Sequence, residues 1–240
     1  MRAKIRRLHC LVLLLAVQSL AAAEAQPGEQ QAVSRPRFSV GDTWTYRNLS
    51  YSRRRPNAGQ TIISVASAND RAIHTLNWAP DASEPSDGFY TAEWNMVSGP
   101  GGDTYEPHSA WLAFPLQPGT SYRVAYEVQR RNDQIITPPG YSAASRLRDA
   151  HEGAANVTGW EDVTVPAGTF RALRVVVETK FVRFGAGKPS APMAATMTLW
   201  YSPKVKRWVR LRYEERITDR QLGAPANWGV ELMEYTVSAE

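Results

Sequence analysis

Residues 159–184, GWEDVTVPAGTFRALRVVVETKFVRF, read as one strand, a tight turn at Pro166, Ala167 and Gly168, and a second, longer strand. From Phe170 onward the side chains sort by parity. Leu173, Val175, Val177, Thr179 and Phe181 fall on one face, and Arg174, Glu178 and Lys180 on the other. That period of two is what a strand with one buried face produces. The β-branched and aromatic residues of the stretch also suit a pleated, half-buried surface.

The same pattern recurs on both sides. Toward the C terminus, Val209, Leu211, Tyr213 and Ile217 alternate with Arg210, Arg212, Glu214 and Arg216. A slip of one residue would bury arginines instead, so the register is tightly specified. Residues 228–237 give a last strand whose apolar parity switches near Glu231, which predicts a bulge or burial on both faces. Toward the N terminus, strands are expected around Trp44 and Tyr46, at 60–67, at 71–78, at 89–97 with Tyr90, Ala92, Trp94 and Met96 on one face, and at 122–128 with Tyr126 inward. Residues 137–151 read either as a short helix from Ser145 or as part of an edge strand. Turn glycines before Trp44, Tyr122 and Phe170 recur at irregular spacing, which argues against a propeller or solenoid. The pattern predicts an all-β fold: a strongly curved antiparallel sheet, a half-barrel or open barrel, of about ten or more strands with little helix.

Ahead of the sheet, residues 1–25 carry a basic start (Arg2, Lys4, Arg6, Arg7), an apolar run at 11–23 and a small-x-small site at Ala23, Glu24 and Ala25. This predicts a signal peptide cleaved before Gln26, and the apolar run is short of the roughly 20 residues that span a bilayer. Residues 26–37 are polar, proline-bearing and aperiodic, and read as a flexible tether; 38–240 then form a single β domain. The chain is expected in the periplasm or outside the cell, with no transmembrane segment in its mature form. Cys10 is the one cysteine, so the mature protein has neither disulfide nor thiol chemistry. Removing the signal's four basic residues and one acid lowers the net charge from +5 to +2. No field for nucleic acid is implied. The Arg53, Arg54 and Arg55 cluster reads as a solvated hairpin tip, with contact to an acidic envelope polymer as the sharper reading.

The sequence presents no motif that carries catalytic chemistry. His74, His108 and His151 are widely separated and HExxH spacing is absent. His74 is in phase with Ala72, Leu76 and Trp78 and reads as a buried, hydrogen-bonded histidine on an apolar face. Residues 140–144 lack the second glycine of a nucleophile elbow. GAGKPS at 185–190 has Val182 where a phosphate-binding loop needs its first glycine, and Pro189 would break the helix that must follow. Glu161 and Asp162 are adjacent and point to opposite faces of a strand, unlike a glycosidase pair. No cofactor and no metal is expected.

What stands out is aromatic content: eight tryptophans and ten tyrosines, all beyond residue 25. Large rings fill the concave side of a curved sheet, and part of such a face can also line a cleft for an apolar ligand. Trp44, Tyr46, His74, Trp78, Trp94, Tyr126 and Tyr213 are the candidate ligand-binding residues.

DVTVPAGTFRALRV at 162–175, TLWYSPKVKRWVRLRYE at 198–214 and ELMEYTV at 231–237, with VGDTW at 40–44 and FPLQPGTSY at 114–122, resemble an uncharacterised family of exported proteobacterial β-rich proteins. The resemblance implies a highly curved sheet, similar at fold level to the periplasmic lipoprotein-carrier proteins, whose half-barrel holds acyl chains. It implies no catalytic residue. Three readings follow: a non-enzymatic protein that binds or carries a lipid or other apolar or amphipathic envelope molecule; an interaction module with an envelope protein partner; and a hydrolase with a dispersed histidine site.

Overall fold

The computed structural model describes residues 31–50, 59–79, 82–130, 148–185, 188–190, 192–216 and 226–239. The expected signal peptide, the Arg53, Arg54 and Arg55 cluster, the 138–140 turn and Ile217 lie outside the described residues. The strands are β1 (Thr43–Ser50), β2 (Gln60–Ala68), β3 (Ala72–Trp78), β4 (Ser86–Thr91), β5 (Met96–Ser98), β6 (Thr104–Glu106), β7 (Ser121–Gln129), β8 (Arg148–Val165), β9 (Gly168–Gly185), β10 (Lys188–Pro189), β11 (Met193–Ser202), β12 (Arg207–Arg216) and β13 (Asn227–Thr236). A 3-10 turn, Pro203–Val205, joins β11 to β12.

These thirteen strands make one sheet, and its terminal neighbours β8 and β9 also pair. That pairing closes the sheet on itself. Twelve strands form an antiparallel ring, and β10 adds two residues beside the end of β9. The half-barrel or open barrel expected from the sequence is therefore a closed barrel, with β8 and β9 satisfied on both sides. The opening stretch supplies the closure, since the two long strands it joins run along each other from Arg148 and Phe184 to Val165 and Gly168.

The inward face follows the parity of the sequence in the best-patterned strands. Leu173, Val175, Val177, Thr179 and Phe181 are buried in β9, and Val209 and Leu211 in β12. Cross-strand pairing carries one apolar row around the wall: Val175 faces Leu199, Leu199 faces Leu211, and Leu211 faces Val230. In β13 the register against β1 shifts by one, because Thr45 faces Glu234 while Tyr46 faces Leu232. Met233 is the extra residue, two positions beyond the expected parity switch.

Two local readings are corrected. The single strand expected at 89–97 is broken between β4 and β5, where the Thr91 hydroxyl accepts hydrogen bonds from the amides of Glu93 and Asn95. Trp94 sits in that turn at a left-handed φ of 63°. In β3 the buried residues are Ile73, Thr75 and Asn77, so His74, Leu76 and Trp78 face outward, opposite to the expected phase. The described part of 137–151 is strand, since β8 already begins at Arg148. In the stretch read as a tether, Val33 is buried and exchanges both backbone hydrogen bonds with Leu116, at 2.8 and 2.9 Å.

The two ends of the barrel differ. At the end where β11 leaves and β12 enters, here called the floor, residues 107–120 fold across and bring Trp111, Leu112 and Leu116 into the core. Asn95 clamps that segment, donating to the Leu112 carbonyl at 2.7 Å and accepting from its amide at 2.9 Å. The opposite end, where β8 and β13 begin and β9 and β12 finish, is the rim. There a smaller apolar group of Phe181, Met193 and Ala195 packs against Tyr213.

Candidate functional site

Three of the seven expected residues converge at the floor. The Trp44 indole donates to the Val205 carbonyl at 2.8 Å, the Tyr46 hydroxyl to that of Trp208 at 2.6 Å, and the Trp94 indole to that of Lys206 at 3.2 Å. All three side chains are buried. Their partners are backbone carbonyls of the chain itself, and so is what they surround. The Arg207 guanidinium carbon lies 4.3 Å from the ring centre of Trp208, 4.5 Å from that of Trp94, 5.2 Å from Tyr46 and 5.5 Å from Trp44. Arg207 is only 2% exposed and, among the described residues, has no carboxylate within ion-pairing distance. Its Nε and Nη1 make no hydrogen bond. A buried cation without a counterion is costly, and here the negative faces of four rings stand in for one. The aromatic trio is occupied by the protein's own guanidinium.

Tyr126 and Tyr213 are at the rim. Tyr126, His151 and Phe181 are direct cross-strand partners on β7, β8 and β9. Their rings stack in parallel at 4.7 and 4.6 Å. Beside the stack, the fully buried Asp149 accepts two hydrogen bonds from Arg183, at 2.8 and 2.9 Å, and two from Arg130, at 3.1 and 3.0 Å. Burial alone would raise the Asp149 pKa; the hydrogen bonds and charge of Arg183, then those of Arg130, outweigh it and hold the carboxyl below its ordinary value. Burial pushes the Tyr126 phenol up to about 12 and the His151 imidazole down to about 4. His151 is thus neutral near pH 7, with Nδ1 3.2 Å from the Thr179 hydroxyl.

This has a measurable consequence. Between about pH 4 and 6.5 the unfolded chain binds a proton at His151 that the folded chain refuses. Stability therefore rises with pH across that window and levels off above it, by about 3 kcal/mol from this one group. Urea denaturation at pH 4.5 and 7 checks the sign, and His151→Phe is expected to flatten the rise. A flat wild-type profile over the same window would mean that His151 is not held neutral.

The rim also holds a residue that sequence reading missed. Trp228 faces Tyr213 directly across β13 and β12, and their rings lie 5.5 Å apart at 33°. Directly opposed residues share a face, and the pair below them in the register, Leu211 and Val230, packs into the core. Trp228 is therefore on the inner face, yet it is 41% exposed. The Tyr213 hydroxyl donates to Glu215 Oε1 at 3.0 Å, and the Ala226 amide to Oε2 at 2.9 Å. Burial, then the Glu215 charge, holds the Tyr213 phenol far above its ordinary range.

His74 and Trp78 belong to neither end. His74 lies on the outer face, stacked on Phe89 at 4.7 Å, with its Nε2 2.7 Å from Asp87. Trp78 pairs with Ile62 there, and Ile62, Trp78, Phe89 and Val97 form a partly exposed apolar outer surface across β2 to β5. The third histidine, His108, accepts from the Ala110 amide on Nδ1. With His74 outside and His151 inside the wall, the geometry assembles no histidine site. A groove of about 530 Å³ runs over β7 to β9, lined by Arg123, Ala125, Glu127, Ala150, Lys180 and Val182 and also by Tyr126, His151 and Phe181 of the stack. Among the described residues no cluster of His, Asp or Glu is placed to hold a metal, and no helix is long and apolar enough to cross a membrane.

The fold and these ends define a closed, all-β, antiparallel barrel with a packed floor and a polar, aromatic rim. Solved structures with a related chain path include one from Parabacteroides distasonis described as a "putative lipoprotein" (12% identity, 86% of this chain and 100% of that one, TM-score 0.49). Another, from Bacteroides fragilis, is described as a "putative exported protein with YmcC-like fold" (13% identity, 86% and 100% covered, TM-score 0.48). A likeness of this degree carries nothing about ligand or activity. No family model and no curated protein matches the chain, so the resemblance to a proteobacterial family rests on its motifs alone.

Proposed function

We propose that this chain is a non-enzymatic exported protein that binds an apolar or amphipathic envelope molecule at the rim of its barrel. The observation that carries the reading is Trp228: an indole 41% exposed on the one face of the sheet that packing otherwise closes. An inward aromatic left open to solvent is where an apolar group gains most by docking. Beside it, Tyr213 packs on the buried apolar group of Phe181, Met193 and Ala195, while Glu215 places a carboxylate within reach of a polar head. Export rests on the sequence of residues 1–25, and periplasmic or extracellular placement follows from it.

The test is native mass spectrometry of the protein recovered without detergent from its envelope fraction. A co-purifying mass that extracts into organic solvent, and that is lost in Trp228→Ala, is the expected result. A bare protein mass, unchanged after incubation with host lipids, would overturn it. The outer surface of Ile62, Trp78, Phe89 and Val97 favours the second reading, an interaction module with an envelope protein partner. That reading requires crosslinks from this surface to another protein.

A further inference from the structure

We infer that the rim is selective for a cation, and that Trp228, Tyr213 and Glu215 form a subsite for the ammonium group of an amphiphile. This rests on the binding reading above and adds the charge of the ligand to it.

The first observation is a charge imbalance. On the inner side of the rim, among the described residues, the carboxylates of Asp103, Asp149 and Glu215 outnumber the guanidiniums of Arg130 and Arg183. Arg130 lies 3.5 Å from Asp103, and both arginines are committed to Asp149. Glu215 has two neutral donors and, among the described residues, no salt bridge. Its charge is thus hydrogen-bonded and feels the field of Arg183 but has no ion-pair partner of its own, on a wall where electrostatic interactions are stronger than in bulk water. Arg207, a buried cation with no counterion among the described residues, sits at the opposite end, at the floor.

The second observation is the surface beside that carboxylate. The Glu215 amide donates to the Ala226 carbonyl, which makes these two residues a cross-strand pair. Trp228 is two residues from Ala226 on the same face, the diagonal position from which long side chains reach each other. An open indole face, a tyrosine ring tilted against it and a carboxylate without an ion-pair partner are the three things an organic cation needs. The ring quadrupoles attract it, the carboxylate fixes it, and both gain as water leaves. An anion would meet the repulsion of Glu215, and a neutral head would leave the imbalance in place.

The experiment titrates the full-length folded protein with three amphiphiles of one chain length, dodecyltrimethylammonium, dodecyl maltoside and dodecyl sulfate, each below its micelle concentration. Tryptophan fluorescence and isothermal calorimetry are read together. Dodecyltrimethylammonium is expected to bind at least tenfold more tightly than the other two. Glu215→Gln, which keeps size and one acceptor, is expected to remove that preference, and Trp228→Ala to lose both binding and the fluorescence response. Trp228 is exposed and Glu215 half-buried, and melting curves verify that the variants fold. Equal binding of all three amphiphiles, insensitive to Glu215→Gln, overturns the cation selectivity and leaves the binding reading standing. No binding of any amphiphile overturns both. Tetramethylammonium competing with the long-chain cation would locate recognition in the head group; competition by dodecane-loaded vesicles alone would place it in the tail and overturn the inference.

Discussion

Gly153→Ala is expected to destabilise the barrel by about 3 kcal/mol or more, at or beyond the upper end of what overpacking a core costs. Gly153 faces Thr179 in the β8–β9 pairing, on the inward side of the wall two residues from His151. A methyl added there would stand 1.9 Å from the Glu178 carbonyl oxygen and 2.8 Å from its carbon and from the Thr179 Cα. All three are backbone atoms, so no rotamer change relieves the clash. One of the two longest strands must move, and with it the hairpin that closes the ring. Gly119→Ala provides the contrast. Gly119 has φ of +81° and nothing within 4 Å of an added Cβ, so only backbone strain of about 1–2 kcal/mol is expected. Urea midpoints for the two variants separate the mechanisms. If Gly153→Ala melts with the wild type, the strands are farther apart than described.

The second large effect is at Arg207, where volume and charge can be separated. Arg207→Ala empties the space between Trp44, Trp94 and Trp208 and is expected to cost about 3–5 kcal/mol, as large-to-small core changes do. Arg207→Met keeps most of the volume and removes a buried charge that has no counterion. It is expected to fall within about 1.5 kcal/mol of wild type, on either side. Denaturant titration of both variants, with near-ultraviolet circular dichroism to follow the tryptophans, reads the result. A methionine variant as unstable as the alanine one would mean that the guanidinium's attraction to the rings, and not the filling of the cage, holds the floor.

Where the sequence was legible, one face was chemically distinct from the other. β9 and β12 put arginine, lysine and glutamate on one parity and aliphatic residues on the other, and the barrel buries the aliphatic set. β3 defeats that logic. Its outward residues, Leu76 and Trp78, are more apolar than its inward ones, Thr75 and Asn77. The inward pair is polar because neighbouring Gly88 has no side chain, and the space is filled by hydrogen bonds: Asn77 donates to the Thr75 hydroxyl and to the Ser86 carbonyl. The outward residues pair with other exposed rings instead. Trp94 was misplaced for a different reason, since a short turn held by one threonine hydroxyl interrupts an otherwise strand-like run.

The candidate site was only half legible. Aromatic content marked Trp44, Tyr46 and Trp94, but their shared partner, Arg207, lies more than 100 residues away in the sequence. No periodicity can report such a contact. Trp228 was hidden by the bulge at Met233, which reverses the parity of β13 just beyond it and leaves its face undecided from sequence. The alternation of β7 and β12 turns Tyr126 and Tyr213 inward, whereas the buried charges beside them announce themselves only once β7, β8 and β9 are side by side.

The pairing of β1 with β13 has an implication for how this molecule comes into being. Thr43 has Thr236 as its neighbour, so the first strand of the ring waits for the last. A chain made, or threaded through a membrane, from its N terminus holds β1 with one side unpaired until nearly all of it has emerged. Contacts between residues so distant in sequence form slowly, and unpaired strand margins invite association with other chains in the meantime. Completion of the ring is thus a late, all-or-none event in the life of the polypeptide. A protein stopped short of β13 would carry two open margins, on β1 and β12, and would be a ready substrate for chaperones and proteases.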